Sequence, residues 1–163
     1  MKKVAVIMGS DSDMPTVSKA VDTLGGLGIP TEVHIYSAHR TPDEAAKFAS
    51  DARANGFGAI IAAAGKAAHL AGALAARTTL PVIGLPIGGH MMGGLDALLS
   101  TVQMPAGIPV ATVAVDGAVN AALLAAEILS VSDADIARAL DEKRAKDTAA
   151  VLAKDAALAE KGE

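Results

Sequence analysis

The chain has 163 residues, no cysteine and a formal net charge of −4. The missing cysteine excludes disulfides and thiolate metal sites, and the mildly acidic balance gives no general attraction for nucleic acid or for a membrane surface. Hydrophobic residues make up 52% of the chain although aromatic residues make up only 2%, so we expect some of this small apolar surface to pack against copies of the same chain.

The first predicted strand covers residues 3–8, and polar residues follow it at once. Two lysines precede its short apolar run, which predicts a strand rather than a targeting segment. Ser10 and Ser12 offer hydroxyls directly before a helix predicted over 14–27. The free N–H groups of a helix start suit a phosphate or a carboxylate, and the Asp13 carboxylate suits two ribose hydroxyls. The simpler interpretation is that Ser12 or Asp13 only caps the helix.

The second predicted strand, 31–36, leads into a loop with one titratable and one permanently charged side chain. Ser37 and Ala38 precede His39, which can exchange a proton near neutral pH. Arg40 follows as a cation that suits an oxyanion. A surface loop with a capping histidine and a solvated arginine is the plainer alternative.

Local chemistry predicts that a helix begins directly after this loop. Thr41 stands three residues before Glu44, which is the spacing of a capping box, and Pro42 occupies the first helical position. Asn55 and Gly56 end the helical pattern.

Small residues follow the third predicted strand, 59–63, and they let backbone amides approach a ligand. Lys66 adds a cation there. His69, in a helix predicted over 68–77, fits a ligand contact or a structural histidine, and the structural role is slightly favoured. The candidate residues of this stretch are Ala64, Gly65, Lys66, His69 and Leu70.

The fourth and fifth predicted strands are 81–86 and 109–115, and the loops next to them are weaker indications of a functional site. The glycine-rich loop at 88–94 predicts a lid or a backbone-lined pocket, although its His90 also fits a packing role or an exposed position. The turn at 103–107 fits a pocket wall or a subunit contact.

Three further helices are predicted over 94–103, 118–129 and 133–159. The second is rich in alanine and leucine, so we expect it to be buried. The third, which Ser132 is predicted to cap, has sparse apolar residues and a highly charged surface. Such a helix has little to bury against its own domain, and we expect it to reach over a neighbouring subunit.

Strands that alternate with helices predict an α/β fold with a doubly wound parallel sheet of five strands. Such sheets bind ligands outside the carboxyl ends of their strands, where the polar loops lie. We expect one domain over 1–163, with an α/β core at 1–130 and a C-terminal helix at 131–163. No stretch is apolar enough for a membrane span. Metal-ligand spacing and the dinucleotide and P-loop motifs are missing, so we expect poor metal binding, and redox and ATP chemistry lack their usual motifs.

Several segments match one enzyme family in order. They are Met8-Gly9-Ser10-x-Ser12-Asp13, Ser37-Ala38-His39-Arg40-Thr41-Pro42-Asp43, Ala67-Ala68-His69-Leu70, Leu95-Asp96, Ser100-x-Val102-Gln103-Met104-Pro105-x-Gly107-Ile108-Pro109-Val110 and Asn120-Ala121-Ala122-Leu123-Leu124-Ala125-Ala126. Together they resemble the N5-carboxyaminoimidazole ribonucleotide mutase family over residues 3–150.

The resemblance implies a three-layer flavodoxin-like fold in a cytoplasmic homo-octamer, with active sites between subunits and no cofactor. It implies a purine-biosynthesis isomerase that converts N5-carboxyaminoimidazole ribonucleotide to its 4-carboxy isomer, with a functional link to the ATP-dependent carboxyaminoimidazole ribonucleotide synthase. By resemblance, Ser10, Asp13 and Arg40 bind the nucleotide and His39 is the general acid and base. The other expected binding residues are Ser12, Ser37, Ala38, Ala64, Gly65, Lys66, His69 and Leu70.

Two alternatives to the mutase stay open. One is an aminoimidazole ribonucleotide carboxylase that uses free CO2, although Arg40 resembles the mutase branch and the carboxylase branch typically has lysine there. The other is a flavodoxin-like nucleotide-binding module without catalysis.

The chain departs from the family pattern at a few places. Lys66 stands where the family usually has glycine, Ala97 stands where serine is usual, and the segment after Val115 is shortened. Lys66 fits three effects: it binds the transferred carboxylate, it disfavours the protonated form of His39, or it crowds the pocket if its φ is positive.

Overall fold

Five parallel strands form one sheet in the order β2-β1-β3-β4-β5. The computed structural model describes residues 1–89 and 92–160. The predicted doubly wound α/β fold is therefore confirmed. The strands are β1 (Lys3–Met8), β2 (Thr31–Ile35), β3 (Phe57–Gly65), β4 (Val82–Ile87) and β5 (Ala111–Thr112).

Helices cover both faces of this sheet. The side chains of β1 alternate, so that Val4, Val6 and Met8 pack with α1 and α5, whereas Ala5 and Ile7 pack with α2 and α3. Two short 3₁₀ turns lie at Asp11–Asp13 and Met92–Gly94. The helices are α1 (Met14–Gly26), α2 (Pro42–Asp51), α3 (Leu70–Ala75), α4 (Leu95–Val102), α5 (Ala118–Ser130) and α6 (Ala134–Ala159).

The fifth strand is much shorter than predicted. It is an edge strand and pairs with β4 only through Ala111 and Thr112. Pro109 has no N–H for the ladder, and Asp116 turns the chain with a φ of 57°. The strand therefore ends before the apolar run does.

Two predicted helix caps are wrong. The Asp133 carboxylate, not Ser132, caps α6 and accepts hydrogen bonds from the N–H groups of Asp135 and Ile136 at 3.2 and 3.4 Å. At the start of α2, the Thr41 hydroxyl accepts a hydrogen bond from the Ser37 N–H at 2.8 Å and so closes the preceding loop. Because that hydroxyl is used there, it caps no N–H of the helix.

The last two helices differ strongly in burial. As predicted, α5 is buried along one side, whereas α6 buries only Ile136. The apolar side chains of Val151, Leu152 and Leu158 are 63%, 63% and 69% exposed. Among the described residues, no helix combines the length and the apolar character needed to cross a membrane.

Close packing in the sheet leads to a stability prediction at Gly84 in β4. A Cβ added there would overlap Thr101 Cγ2 and lie 3.0 Å from Val110 Cγ1. Thr101 is buried, so it cannot move aside. We expect Gly84→Ala to lower the free energy of unfolding by about 1–3 kcal/mol, measured by urea titration.

A matched control for this substitution is Gly25→Ala in α1. A Cβ at Gly25 meets nothing within 4 Å. Because alanine is a better helix former than glycine, this variant is expected to be as stable as the parent or more stable. Equal destabilisation by the two substitutions would contradict the packing argument.

Candidate active site

A cleft of about 720 Å³ opens at the carboxyl ends of β1, β2, β3 and β4. The structure brings into it every residue that the sequence predicted to bind substrate or to move a proton; the roles of these residues stay predictions. They are Ser10, Ser12, Asp13, Ser37, Ala38, His39, Arg40, Ala64, Gly65, Lys66, His69 and Leu70.

Five more residues line the cleft without having been assigned to it from the sequence. Four of them lie in loops that the sequence marked as candidates, but as glycine or alanine they offer only backbone groups. The fifth, Ile87, is the last residue of an apolar strand, and only the position of β4 in the sheet would have indicated it. The five are Gly9, Ala67, Ile87, Gly88 and Gly89.

The loop after β1 is ordered by its own hydroxyls. Ser10 Oγ accepts hydrogen bonds from the Ser12 N–H at 3.3 Å and from the Ser12 hydroxyl at 2.9 Å. Ser10 thus caps the 3₁₀ turn, whereas Asp13 makes no capping hydrogen bond to α1. The Met14 N–H donates to the Asp11 carbonyl and Pro15 has no N–H. This loop therefore presents the side chains of Ser10, Ser12 and Asp13 to the cleft rather than the N–H groups of a helix start.

Asp13 is the acidic side chain of the cleft lining and is only 9% exposed. Burial raises the pKa of its carboxyl, and hydrogen bonds with Ser10 and Ser12 offset part of that effect. A carboxylate in this position can accept hydrogen bonds from neutral hydroxyl groups of a ligand.

The loop after β2 is held at both ends. Ser37 Oγ accepts hydrogen bonds from the N–H groups of His39 and Arg40 at 3.3 and 3.2 Å. The guanidinium of Arg40 donates to the Gly9 carbonyl at 2.9 Å, which ties this loop to the loop after β1. The remaining donors of Arg40 are available to a ligand.

His39 and His69 form a hydrogen-bonded pair. Nε2 of His39 lies 2.8 Å from Nδ1 of His69, and the two rings meet edge-on at 75°. One ring must donate and the other accept, so protonation of both would break the contact. This pairing places His69 at the candidate chemical centre rather than in the core.

Lys66 has an unusual backbone conformation. Its φ is 55°, in the left-handed region that glycine adopts freely, and a side chain there costs about 1–2 kcal/mol. The positive φ considered from the sequence is therefore present. Its carbonyl accepts from the Ala68 N–H at 2.9 Å. Within residues 1–89 and 92–160, the Lys66 ammonium has no hydrogen bond or ion pair.

The loop after β4 contributes Gly88 and Gly89 to the cleft. The Gly88 N–H donates to the Asp116 carboxylate at 2.9 Å. The predicted lid at 88–94 includes His90 and Met91, which lie outside the described residues, so the lid stays a prediction.

The turn at 103–107 lies away from this cleft. Gly107 instead lines a second cleft, of about 850 Å³, together with Pro81 and Val82 at the amino end of β4. The pocket wall considered for this turn therefore applies to Gly107 at the second cleft, and the subunit contact stays a prediction. Among residues 1–89 and 92–160, no three potential metal ligands cluster.

Comparisons with known proteins agree on one family. The family model described as AIR carboxylase matches residues 3–150. The N5-carboxyaminoimidazole ribonucleotide mutase of Bacillus subtilis is 54% identical over 151 residues, covering 91% of this chain and 93% of that protein. The crystal structure of Treponema denticola PurE is 30% identical, with a TM-score of 0.87, and the match covers 95% of this chain and 97% of that one.

A relative with a different name has similar identity. The phosphoribosylaminoimidazole carboxylase of Ogataea methanolica is 57% identical over 130 residues, which are 80% of this chain but only 24% of that protein. Identity alone therefore does not separate a mutase from a carboxylase.

The raised pKa of Asp13 predicts a pH dependence of stability. A carboxyl whose pKa is raised on folding stabilises the fold below its ordinary value of 3.8, and this contribution is lost as pH rises through the raised pKa. Asp13→Asn removes that loss. Measured by thermal melts, the Tm of Asp13→Asn relative to the parent is expected to be higher at pH 7 than at pH 4.

The control is Asp22→Asn, at an exposed position of α1. Its Tm relative to the parent is expected to change little over the same pH range. If both variants show the same trend, the effect comes from net charge and not from the burial of Asp13.

Proposed function

The chain belongs to the AIR carboxylase family, and from that premise we propose that it is the enzyme that converts N5-carboxyaminoimidazole ribonucleotide to 4-carboxyaminoimidazole ribonucleotide in purine biosynthesis. The observation that carries the proposal is the 2.8 Å contact of His39 with His69 in a cleft that Arg40 also lines. Relatives 54–55% identical over most of both chains have the mutase name.

Different groups of the cleft bind the phosphate, the ribose and the ring of the nucleotide. The hydroxyls of Ser10 and Ser12 and the remaining donors of Arg40 suit the phosphate. Asp13 suits the ribose hydroxyls. This placement directs the aminoimidazole ring toward the loops after β2 and β3, where His39 lies. Ala38, Ala64, Gly65 and Leu70 form the neutral surface around the ring.

The reaction needs one group that gives a proton and later takes one back. The carbon–nitrogen bond of the substrate carbamate breaks as His39 protonates the leaving nitrogen, which gives an amine and CO2. The enamine-like ring carbon then attacks the same CO2 and forms a carbon–carbon bond. The ring proton passes to His39, so no net proton is consumed. A side chain that titrates near neutral pH can act in both steps.

His69 has a positioning role in this scheme. Because its Nδ1 holds Nε2 of His39, it fixes the ring of His39 and limits the pair to one extra proton. Ser37 orients the same histidine from the other side through the backbone, by accepting the His39 N–H at 3.3 Å.

The proposal extends to assembly and location. We place the chain in the cytoplasm as a single domain, in a homo-octamer whose active sites lie between subunits. Its substrate would come from an ATP-dependent carboxyaminoimidazole ribonucleotide synthase. The exposed apolar side chains of α6 support an assembly, since 63% of Leu152 is exposed on the isolated chain.

The first prediction separates the mutase from the carboxylase. In buffer purged of CO2 and bicarbonate and without ATP, purified protein is expected to isomerise N5-carboxyaminoimidazole ribonucleotide, followed by absorbance of the product. Under the same conditions it should not consume aminoimidazole ribonucleotide. A reaction that begins only with the uncarboxylated nucleotide and added bicarbonate would favour the carboxylase.

The second prediction concerns the proton carrier. His39→Asn keeps a polar side chain but cannot exchange a proton, so kcat is expected to fall by at least about a hundredfold. Nucleotide binding, measured by calorimetry, is expected to persist. The control is His34→Gln, which removes a described histidine outside the cleft. Full turnover by folded His39→Asn would mean that another group carries the proton, whereas a parent protein that binds nucleotide without any turnover would fit the non-catalytic module.

The third prediction concerns the assembly. The paired change Val151→Glu and Leu152→Glu places two carboxylates on the exposed apolar face of α6, where neither side chain supports the fold of its own chain. The mass measured by light scattering is expected to fall, with the circular dichroism spectrum unchanged.

A matched control places the same two charges on the opposite side of α6. By helical geometry, Ala153 and Ala157 point away from Val151 and Leu152, so Ala153→Glu with Ala157→Glu is expected to leave the mass unchanged. If the two double variants lower the mass equally, the helix has no specific contact surface.

A further inference from the structure

We propose that Lys66 binds the carboxylate that the reaction transfers, so that this active site prefers carboxylated nucleotides over the decarboxylated one. The inference rests on the proposed function and deepens it by assigning a specificity-determining residue. It concerns Lys66, which stands where a glycine would meet the backbone requirement without strain.

The charges of the cleft lining support this assignment. Its two permanent or near-permanent cations are Arg40 and Lys66, and its acidic side chain is Asp13. The carboxylated substrate and product each carry two anionic groups, a phosphate and a carboxylate. One cation is therefore available for each anionic group.

The sheet order separates the two cations. Arg40 follows β2, Lys66 follows β3, and β1 lies between these strands. Neighbouring strands lie about 4.8 Å apart, so the two side chains start from backbones about 10 Å apart. The guanidinium of Arg40 is tied to the Gly9 carbonyl at 2.9 Å, beside Ser10. That leaves Lys66 as the cation on the other side of the cleft.

The position of Lys66 along its loop places it near the reacting atoms. It comes three residues before His69, whose imidazole contacts His39 at 2.8 Å. The carboxylate moves between the exocyclic nitrogen and the adjacent ring carbon, and His39 must reach both. A cation in this same short loop can follow the carboxylate at either end of its transfer.

The backbone of Lys66 is a second, independent observation. A φ of 55° is unfavourable for lysine, and non-glycine residues held in this region concentrate at functional sites. The Lys66 side chain is exposed, and within the described part of the chain its ammonium has no protein partner. The cation is thus maintained at a strained position where none of the described protein groups pairs with it.

The charge of Lys66 acts differently on the stages of the reaction. Carbamate and product are anionic at the transferred group, whereas CO2 is neutral. A cation beside this group stabilises the bound substrate and product more than the decarboxylated intermediate. Binding of that kind lowers KM but does not raise kcat.

The test measures two dissociation constants and the separate effects on KM and kcat. Calorimetry gives Kd for 4-carboxyaminoimidazole ribonucleotide and for aminoimidazole ribonucleotide, which share a phosphate but differ in the carboxylate. With Lys66→Met, Kd for the carboxylated nucleotide is expected to rise about tenfold or more, with little change for the other. KM is expected to rise in parallel, while kcat stays equal or increases.

Three companion variants sharpen the result. Lys66→Arg keeps the charge and is expected to retain most of the preference for the carboxylated nucleotide. Lys66→Gly removes charge and strain together, so it should lose that preference without losing thermal stability. Lys19→Met removes an exposed cation of α1 outside the cleft and should leave both constants unchanged.

Two outcomes would overturn the inference alone. If wild-type protein binds both nucleotides and Lys66→Met weakens both equally, the lysine serves the phosphate. If neither constant changes, it is solvated and binds neither group. A wild-type protein that binds neither nucleotide would overturn the proposed function itself, which is a different observation.

Discussion

The position of β1 between β2 and β3 is the constraint on which the candidate site depends. In the ladders, Met8 pairs with Ile35 on one side and with Ala63 on the other, so the three strands end almost level. The loops that follow must therefore share one edge of the sheet. The central strand is buried from Val4 to Met8, which fixes this register, because a slip by one residue would exchange its two faces. The 2.8 Å contact between His39 and His69 follows from that register.

Small side chains let the helices pack closely on the sheet, but they leave apolar surface exposed on the single chain. Along α5 the buried residues are alanines except for Leu129, so the helix lies close to α1 and the sheet. A core built in this way has little apolar volume per helix. The long α6 packs on α5 through Ile136 and then extends with its apolar side chains exposed. The same composition that gives a tight core thus leaves apolar surface for contact with another chain.

Much of this architecture was predictable because it depends on local periodicity and on strand order. Within the described residues, five strands and six helices lie where the patterns indicated, although β5 is shorter than predicted, and the polar loops follow the carboxyl ends of the strands. The predictions that failed concern side chains with more than one possible hydrogen-bond partner, and sequence spacing does not show which partner is bound. The hydroxyl of Thr41 could accept a hydrogen bond from an N–H of α2 or from the Ser37 N–H, and it accepts from Ser37. The pairing of His39 with His69 joins residues 30 positions apart, so only the sheet register could establish it.

The strained backbone positions lie in loops at the edge of the sheet where the cleft opens. The described non-glycine residues with positive φ are Lys66, Met92 and Asp116, which come after β3, β4 and β5 respectively. All three therefore lie at the carboxyl edge of the sheet. Asp116 uses its conformation to hold the N–H of Gly88, which lines the cleft. Such positions persist because the buried strands beneath them determine where each loop begins, whatever the loop residue prefers. A flexible loop would relax to a negative φ, whereas here the positive φ is held, and the side chain of Lys66 adds a cation to the cleft that His39 and His69 also line.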